Sequence, residues 1–136
     1  MTLYLNDLIN ECELRGFDGY EPYGETMLVL SVPNVNDLAQ TIPVIAEVKD
    51  DTLSASAVIA EVTEDFYLPA VRACNELNIQ YRYYKHFAQE TPDGTWQLCA
   101  AADWVARELP AAQAFPLLID FCQHMYVTAD RLMREG

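Results

Sequence analysis

The chain is 136 residues long and 51% apolar, and it sets 21 acids against 8 bases for a formal net charge of -13, which fits one domain over residues 1–136 able to bury about two thirds of its unfolded surface. A nucleic-acid backbone needs clustered Lys or Arg to neutralise phosphates, and no such cluster exists, so nucleic acid is excluded as a partner. The acidity reads as a solubilising charge, as a surface that steers basic partners, or as both.

The elements follow in chain order. Over residues 2–14, Leu5, Leu8, Ile9 and Cys12 recur at helical spacing, and Gly16 marks a C-terminal stop. Acids in this stretch stand where a signal peptide needs a basic flank, and no window reaches the apolar length of a membrane span, so no membrane association and a cytoplasmic location are expected. Residues 17–24 form a turn region with room for a short strand over Tyr20–Tyr23, and residues 26–32 (TMLVLSV) have strand length. After a loop over residues 33–40, residues 42–49 place Ile42, Val44, Ala46 and Val48 on one face. Asp50 and Asp51 turn the chain, and Thr52–Val62 alternates Leu53, Ala55, Ala57 and Ile59 against Thr52, Ser54 and Ser56. Small residues there predict close packing by a helix or a second subunit.

Thr63 is an N-cap candidate for a helix to about Leu77, with an inner stripe of Leu68, Val71, Cys74 and Leu77, although Pro69 delays its regular start to about Leu68. Residues 80–89 read as a strand with aromatic side chains on both faces. Thr91, Pro92, Asp93 and Gly94 suit a type I turn into a partner strand over residues 96–104, whose face carries Trp96, Leu98, Ala100, Ala102 and Trp104. The last segment is the strongest helix, with Phe115, Leu118, Ile119, Cys122, Met125, Tyr126, Ala129, Leu132 and Met133 in its stripe. Either Pro116 is its first residue or a helix from Pro110 is kinked there, and the later start is favoured.

No reactive centre emerges from these elements. Cys12, Cys74, Cys99 and Cys122 are far apart, a disulfide framework is not expected, and the thiols read as small core hydrophobes with no adjacent base to activate them. His124 with Cys122 lacks further ligands for a metal and reads as a surface residue; His86 beside Glu90 could serve as a base or simply as a polar strand residue, and the second reading is favoured. No catalytic, cofactor or metal residues are assigned. The binding candidates are Tyr81, Tyr83, Tyr84 and Phe87, expected to face Trp96 and Trp104, because aromatic residues dominate interface anchors. A single core cannot easily take them all, so one face is expected against another subunit, a client or the terminal helix.

The order α-β-β-β-α-β-β-α gives an α+β class, an antiparallel sheet of about five strands with three helices. This order resembles the type III secretion chaperone-like fold, and within it the bacterial YbjN family, described as sensory-transduction-regulator-like. The likeness is carried by the hairpin ending Ala60-Glu61-Val62, the helix with Leu68-Pro69, and its exit Cys74-Asn75-Glu76-Leu77-Asn78, similar to an Asn-x-x-Asn exit common in that family. The resemblance implies dimerisation and protein binding, and it brings no catalytic residue. The expected function is thus a non-enzymatic, homodimeric adaptor or chaperone-like regulator holding a protein client. The alternative is a small-molecule-binding regulator with a pocket between the sheet and the terminal helix.

Overall fold

A computed structural model describes residues 2–37 and 39–135, with side chains to residue 132, so Met133 of the expected stripe lies outside the described side chains. The elements run α1 (Leu5–Leu14), β1 (Tyr20–Tyr23), β2 (Met27–Leu30), β3 (Val44–Lys49), β4 (Thr52–Val62), α2 (Tyr67–Gln80, entered through a 3-10 turn at Glu64–Phe66), β5 (Lys85–Glu90), β6 (Trp96–Val105) and α3 (Ala111–Glu135). All six strands form one antiparallel sheet in the order β1-β2-β3-β4-β6-β5. The class and element order match expectation. The strand number is six rather than about five, because Tyr20–Tyr23 pairs fully with β2, and its Pro22 is tolerable because β1 is an edge strand.

Turn chemistry fixes the register. Asp50 and Asp51 both take positive φ (51° and 63°), so β3 and β4 join through a tight two-residue hairpin. Gly94 at φ 83° closes the β5–β6 hairpin, where the Gly94 N–H donates to Thr91 O and the Thr91 N–H to Thr95 O. Gly16 at φ 67° ends α1 in a Schellman arrangement, its N–H donating to Glu13 O and that of Phe17 to Cys12 O.

One face of the sheet carries Leu28, Leu30, Val44, Ala46, Leu53, Ala55, Ala57, Ala100 and Ala102, all buried beneath the helices. The β4–β6 register shifts between Val58 and Ala60, so that Ala60 and Val62 pair with Leu98 and Trp96 and stay on the helical side. The alternation expected for β4 therefore holds to Ile59, which packs against the core, and changes parity at Ala60. Helix α2 buries Ala70, Ala73, Cys74 and Leu77, whereas Leu68 of the expected stripe is 63% exposed. The small side chains Ala70 and Cys74 bring α2 close to Ala60, Ala88 and Leu98, and with buried Ala73 they set which face turns inward.

Helix α3 begins at Ala111, five residues before the favoured Pro116 start, and Pro116 lies inside it. A proline there cannot donate to the carbonyl one turn back, at Ala112. Arg15 supplies the missing donor: its Nη2 reaches Ala112 O at 2.9 Å, while its guanidinium lies 4.8 Å from the Phe115 ring centre and pairs with Glu11 at 2.7 Å. The proline is accommodated by a residue 97 positions before the carbonyl it frees, which no local pattern reveals. Below it, Leu118, Phe121, Cys122 and Met125 fill the space over the sheet. The Tyr126 hydroxyl donates to Val32 O and accepts the Ile42 N–H at 3.0 Å, tying both ends of the loop over residues 33–41 to α3.

Candidate functional site

Residues 80–84, expected as the start of a strand, instead finish α2 and turn the chain. The Tyr81 N–H donates to Leu77 O at 2.7 Å, and β5 begins at Lys85. Asn78 directs this change. Its Oδ1 accepts the His86 backbone N–H at 2.6 Å and its Nδ2 donates to His86 O at 2.9 Å, so one side-chain amide occupies the pairing positions that a neighbouring strand would use on the outer edge of β5. An exposed edge is a template for unwanted pairing, and Asn78 closes part of it.

That amide also orders a buried imidazole pair. Because a backbone N–H can only donate, Asn78 Oδ1 is fixed as the acceptor, and His86 Nδ1, 3.0 Å away, must carry a proton. Neutral His86 then has a lone pair on Nε2, which accepts from His124 Nε2–H at 2.9 Å. His86 and His124 are only 3% and 7% exposed. Burial lowers the His86 pKa; burial first, and then the neighbouring His86, bring that of His124 down to about 4. His124 is therefore not the surface residue its sequence neighbourhood suggests, and His86 is not a solvent-facing strand residue. Both point inward because β5 starts late and α3 is buried over a wider arc, including Phe121, His124 and Thr128, than the expected stripe.

Two of the six aromatic candidates join this pair. Tyr81 meets His124 edge-on with ring centres 4.4 Å apart, and Tyr84 lies 4.6 Å from His124 and 5.3 Å from Phe121. Burial raises the Tyr84 hydroxyl pKa, with smaller contributions from Asp120 and Cys122. The other four are dispersed. Tyr83 is 94% exposed in the turn, beside a shallow groove of ≈ 540 Å³ lined by Gln80, Tyr81, Arg82, Tyr83 and Tyr84. Phe87 is exposed on the opposite face of the sheet, Trp96 stacks on Tyr67 at 4.3 Å, and Trp104 is half-buried against the main core. The expected facing of the tyrosines by the tryptophans does not occur, since the register places Lys85–Glu90, not the tyrosines, against β6.

The chemistry available in this cluster is that of neutral imidazoles and phenols. All four thiols are buried, and burial raises their pKa values, that of Cys122 to about 12, so their thiolate forms are suppressed. Among the described residues no group of three His, Cys, Asp or Glu side chains is placed to hold a metal. No described helix is long and apolar enough to cross a membrane.

The second notable surface is the face of the sheet opposite the helices. Ile45, Val58, Phe87 and Val105 are 44%, 45%, 40% and 70% exposed there, with Val29, Ser54, Ser56 and Ala101 between them. The space between the sheet and α3 is filled by core side chains. A concavity of ≈ 1270 Å³ lies instead between α3 and the loop over residues 32–40, lined in part by Asn34, Asp37, Gln40, Gln123 and Tyr126.

No family model and no curated protein matches the sequence. Among solved structures the chain is similar to YbjN from E. coli, whose description proposes it as a transcription regulator. The TM-score is 0.73 at 18% sequence identity, covering 99% of this chain and 96% of that one. The correspondence extends through all three helices and the antiparallel sheet, and the structure thus has the fold of YbjN.

Proposed function

We propose that the chain is a non-enzymatic, homodimeric adaptor or chaperone-like regulator of the cytoplasm that binds another polypeptide. The observation carrying this reading is the one-sided sheet. Six strands place every helix on one face and leave the apolar side chains Ile45, Val58, Phe87 and Val105 exposed on the other, a distribution that suits an interaction face. The likeness to YbjN, a proposed regulator, agrees with this reading. Of the aromatic candidates, Tyr83 and Phe87 have the exposure an anchor needs, while Tyr81, Tyr84, Trp96 and Trp104 hold the scaffold beneath them. Capture from the source cell with native and Tyr83→Ser baits tests this: a protein retained by the native bait is expected to be lost with the variant. Equal retention contradicts the assignment.

The concavity beside α3 favours one other reading, a small-molecule regulator. Its amides around Tyr126, with the Asp37 and Asp130 carboxylates beside them, suit a polar ligand that donates hydrogen bonds. Saturable stabilisation by a metabolite, abolished by Gln123→Leu, would support that reading over the first.

A further inference from the structure

The pairing registers of the sheet define a straight row across its open face: Glu21, Val29, Ile45, Ser56, Ala101 and Lys85, one residue from each strand. The midpoint of this row falls between β3 and β4. We infer that a second copy of the chain covers this face, related by a two-fold axis that runs parallel to the strands through that midpoint. The proposal rests on the homodimer reading above and supplies its interface.

The row is complementary to itself under that operation. Rotation about the axis reverses the order of strands, so Ile45 on β3 comes over Ser56 on β4 of the second copy, and Val29 over Ala101. In each case a branched side chain meets a small one, which lets two sheets approach to the usual separation of about 10 Å. At the two ends, Glu21 comes over Lys85 of the second copy, and Lys85 over Glu21. The same axis applied to the next row, Met27, Glu47, Ser54 and Asp103, sets Met27 over Asp103 and Glu47 over Ser54, one strand spacing from the Glu47 and Asp103 that flank that serine in the second copy. In a chain of net charge -13 this acidic row opposes association, because like charges brought together across an interface disfavour it, and the apolar row with its two Glu21–Lys85 ends has to offset it.

Size sets the expected strength. Six strands about 4.8 Å apart span roughly 25 Å, and with about 20 Å along the strands each copy contributes on the order of 500 Å², near the lower limit for a specific interface. The dimer is accordingly a reversible one with a dissociation constant in the micromolar range.

Sedimentation equilibrium over roughly 5–300 µM, a range bracketing that affinity, of the native chain, Lys85→Glu, Glu21→Lys/Lys85→Glu and Ile45→Asp tests the inference. These side chains are all exposed, and circular dichroism checks that each variant is folded. Lys85→Glu is expected to weaken association roughly tenfold because it sets like charges at both ends of the row, and the double exchange to restore it to within about threefold of native. Ile45→Asp should abolish it. A native dimer indifferent to Lys85→Glu and Ile45→Asp would overturn this interface while leaving the homodimer reading intact. A native chain that stays monomeric throughout would overturn both.

Discussion

Lowering the pH from 7.5 to 5 should cost the native protein about 2 kcal/mol of stability through His124 alone. The folded state holds this imidazole neutral down to about pH 4, whereas the unfolded chain takes up its proton near the ordinary value of 6.5. The unfolded state therefore binds more protons throughout that interval. Stability from the neutral pair is complete above pH 6.5, and it declines as pH falls toward 4. His86, whose pKa is also lowered by burial, adds to the loss in the same direction. The groups facing the pair are Asn78, Tyr81, Tyr84 and Phe121, none of them a carboxylate or an amine. The loss has a structural cause: His124 already carries its Nε2 proton, so a second one on Nδ1 charges a buried ring, while a proton on His86 Nε2 would set two N–H donors against each other across 2.9 Å. Urea unfolding of the native chain and His124→Gln at pH 7.5 and 5 measures the effect. The glutamine amide can still donate to His86 but cannot titrate, so the variant should lose less stability on acidification. Parallel pH profiles for the two proteins would contradict the buried-pair assignment.

Phe121→Ala should destabilise the fold by roughly 3–5 kcal/mol, the largest effect expected of any single truncation outside the glycines and prolines. Phe121 is fully buried and is among the largest side chains with no solvent exposure. It lies over the sheet, and its ring meets Tyr84 edge-on at 5.3 Å, so its removal leaves a cavity and also takes the support from the turn over residues 81–84. The rigid sheet beneath cannot collapse into the space without breaking its ladder, which places the expected cost toward the upper end of the range. Val127→Ala, on the 52% exposed side of the same helix, should change stability by no more than about 0.5 kcal/mol. Equal urea midpoints for the two variants would show that α3 faces the other way.

Much of this architecture can be read locally. Alternation in Thr52–Val62, the Asp50-Asp51 turn, the Thr91 to Gly94 turn and the Gly16 stop are short-range signals, and each produced the element expected of it. The errors have a shared origin in long-range contacts. Residues 80–84 look extended because they are aromatic, and they become a helix end and turn because Asn78 reaches the β5 backbone. Pro116 looks like a helix start, and it lies inside α3 because Arg15 satisfies Ala112 O. His124 falls outside the stripe that one packing partner would bury, whereas α3 is covered by the sheet on one side and by the Tyr81 to Tyr84 turn on another. Leu68 shows the reverse: hydrophobicity suggested burial, but the small side chains Ala70 and Cys74 permit the closer approach. The candidate site was legible as an aromatic concentration and not as a geometry. A helix extended by a few residues keeps Tyr83 out of the sheet, and the regular β5–β6 register sets Phe87 against Cys99 on the face opposite Trp96 and Trp104.

The open face of the sheet is tested most directly by nuclear magnetic resonance on dilution. Backbone and methyl signals are assigned at roughly 300 µM and followed to roughly 10 µM, a range spanning the micromolar affinity expected of so small an interface. Progressive shifts are expected at Val29, Ile45, Ser56 and Ala101, with Glu21 and Lys85 at the margins, and none at the exposed residues of α3 such as Val127. Signals that do not move with concentration, or that move only on the helical face, would contradict the account.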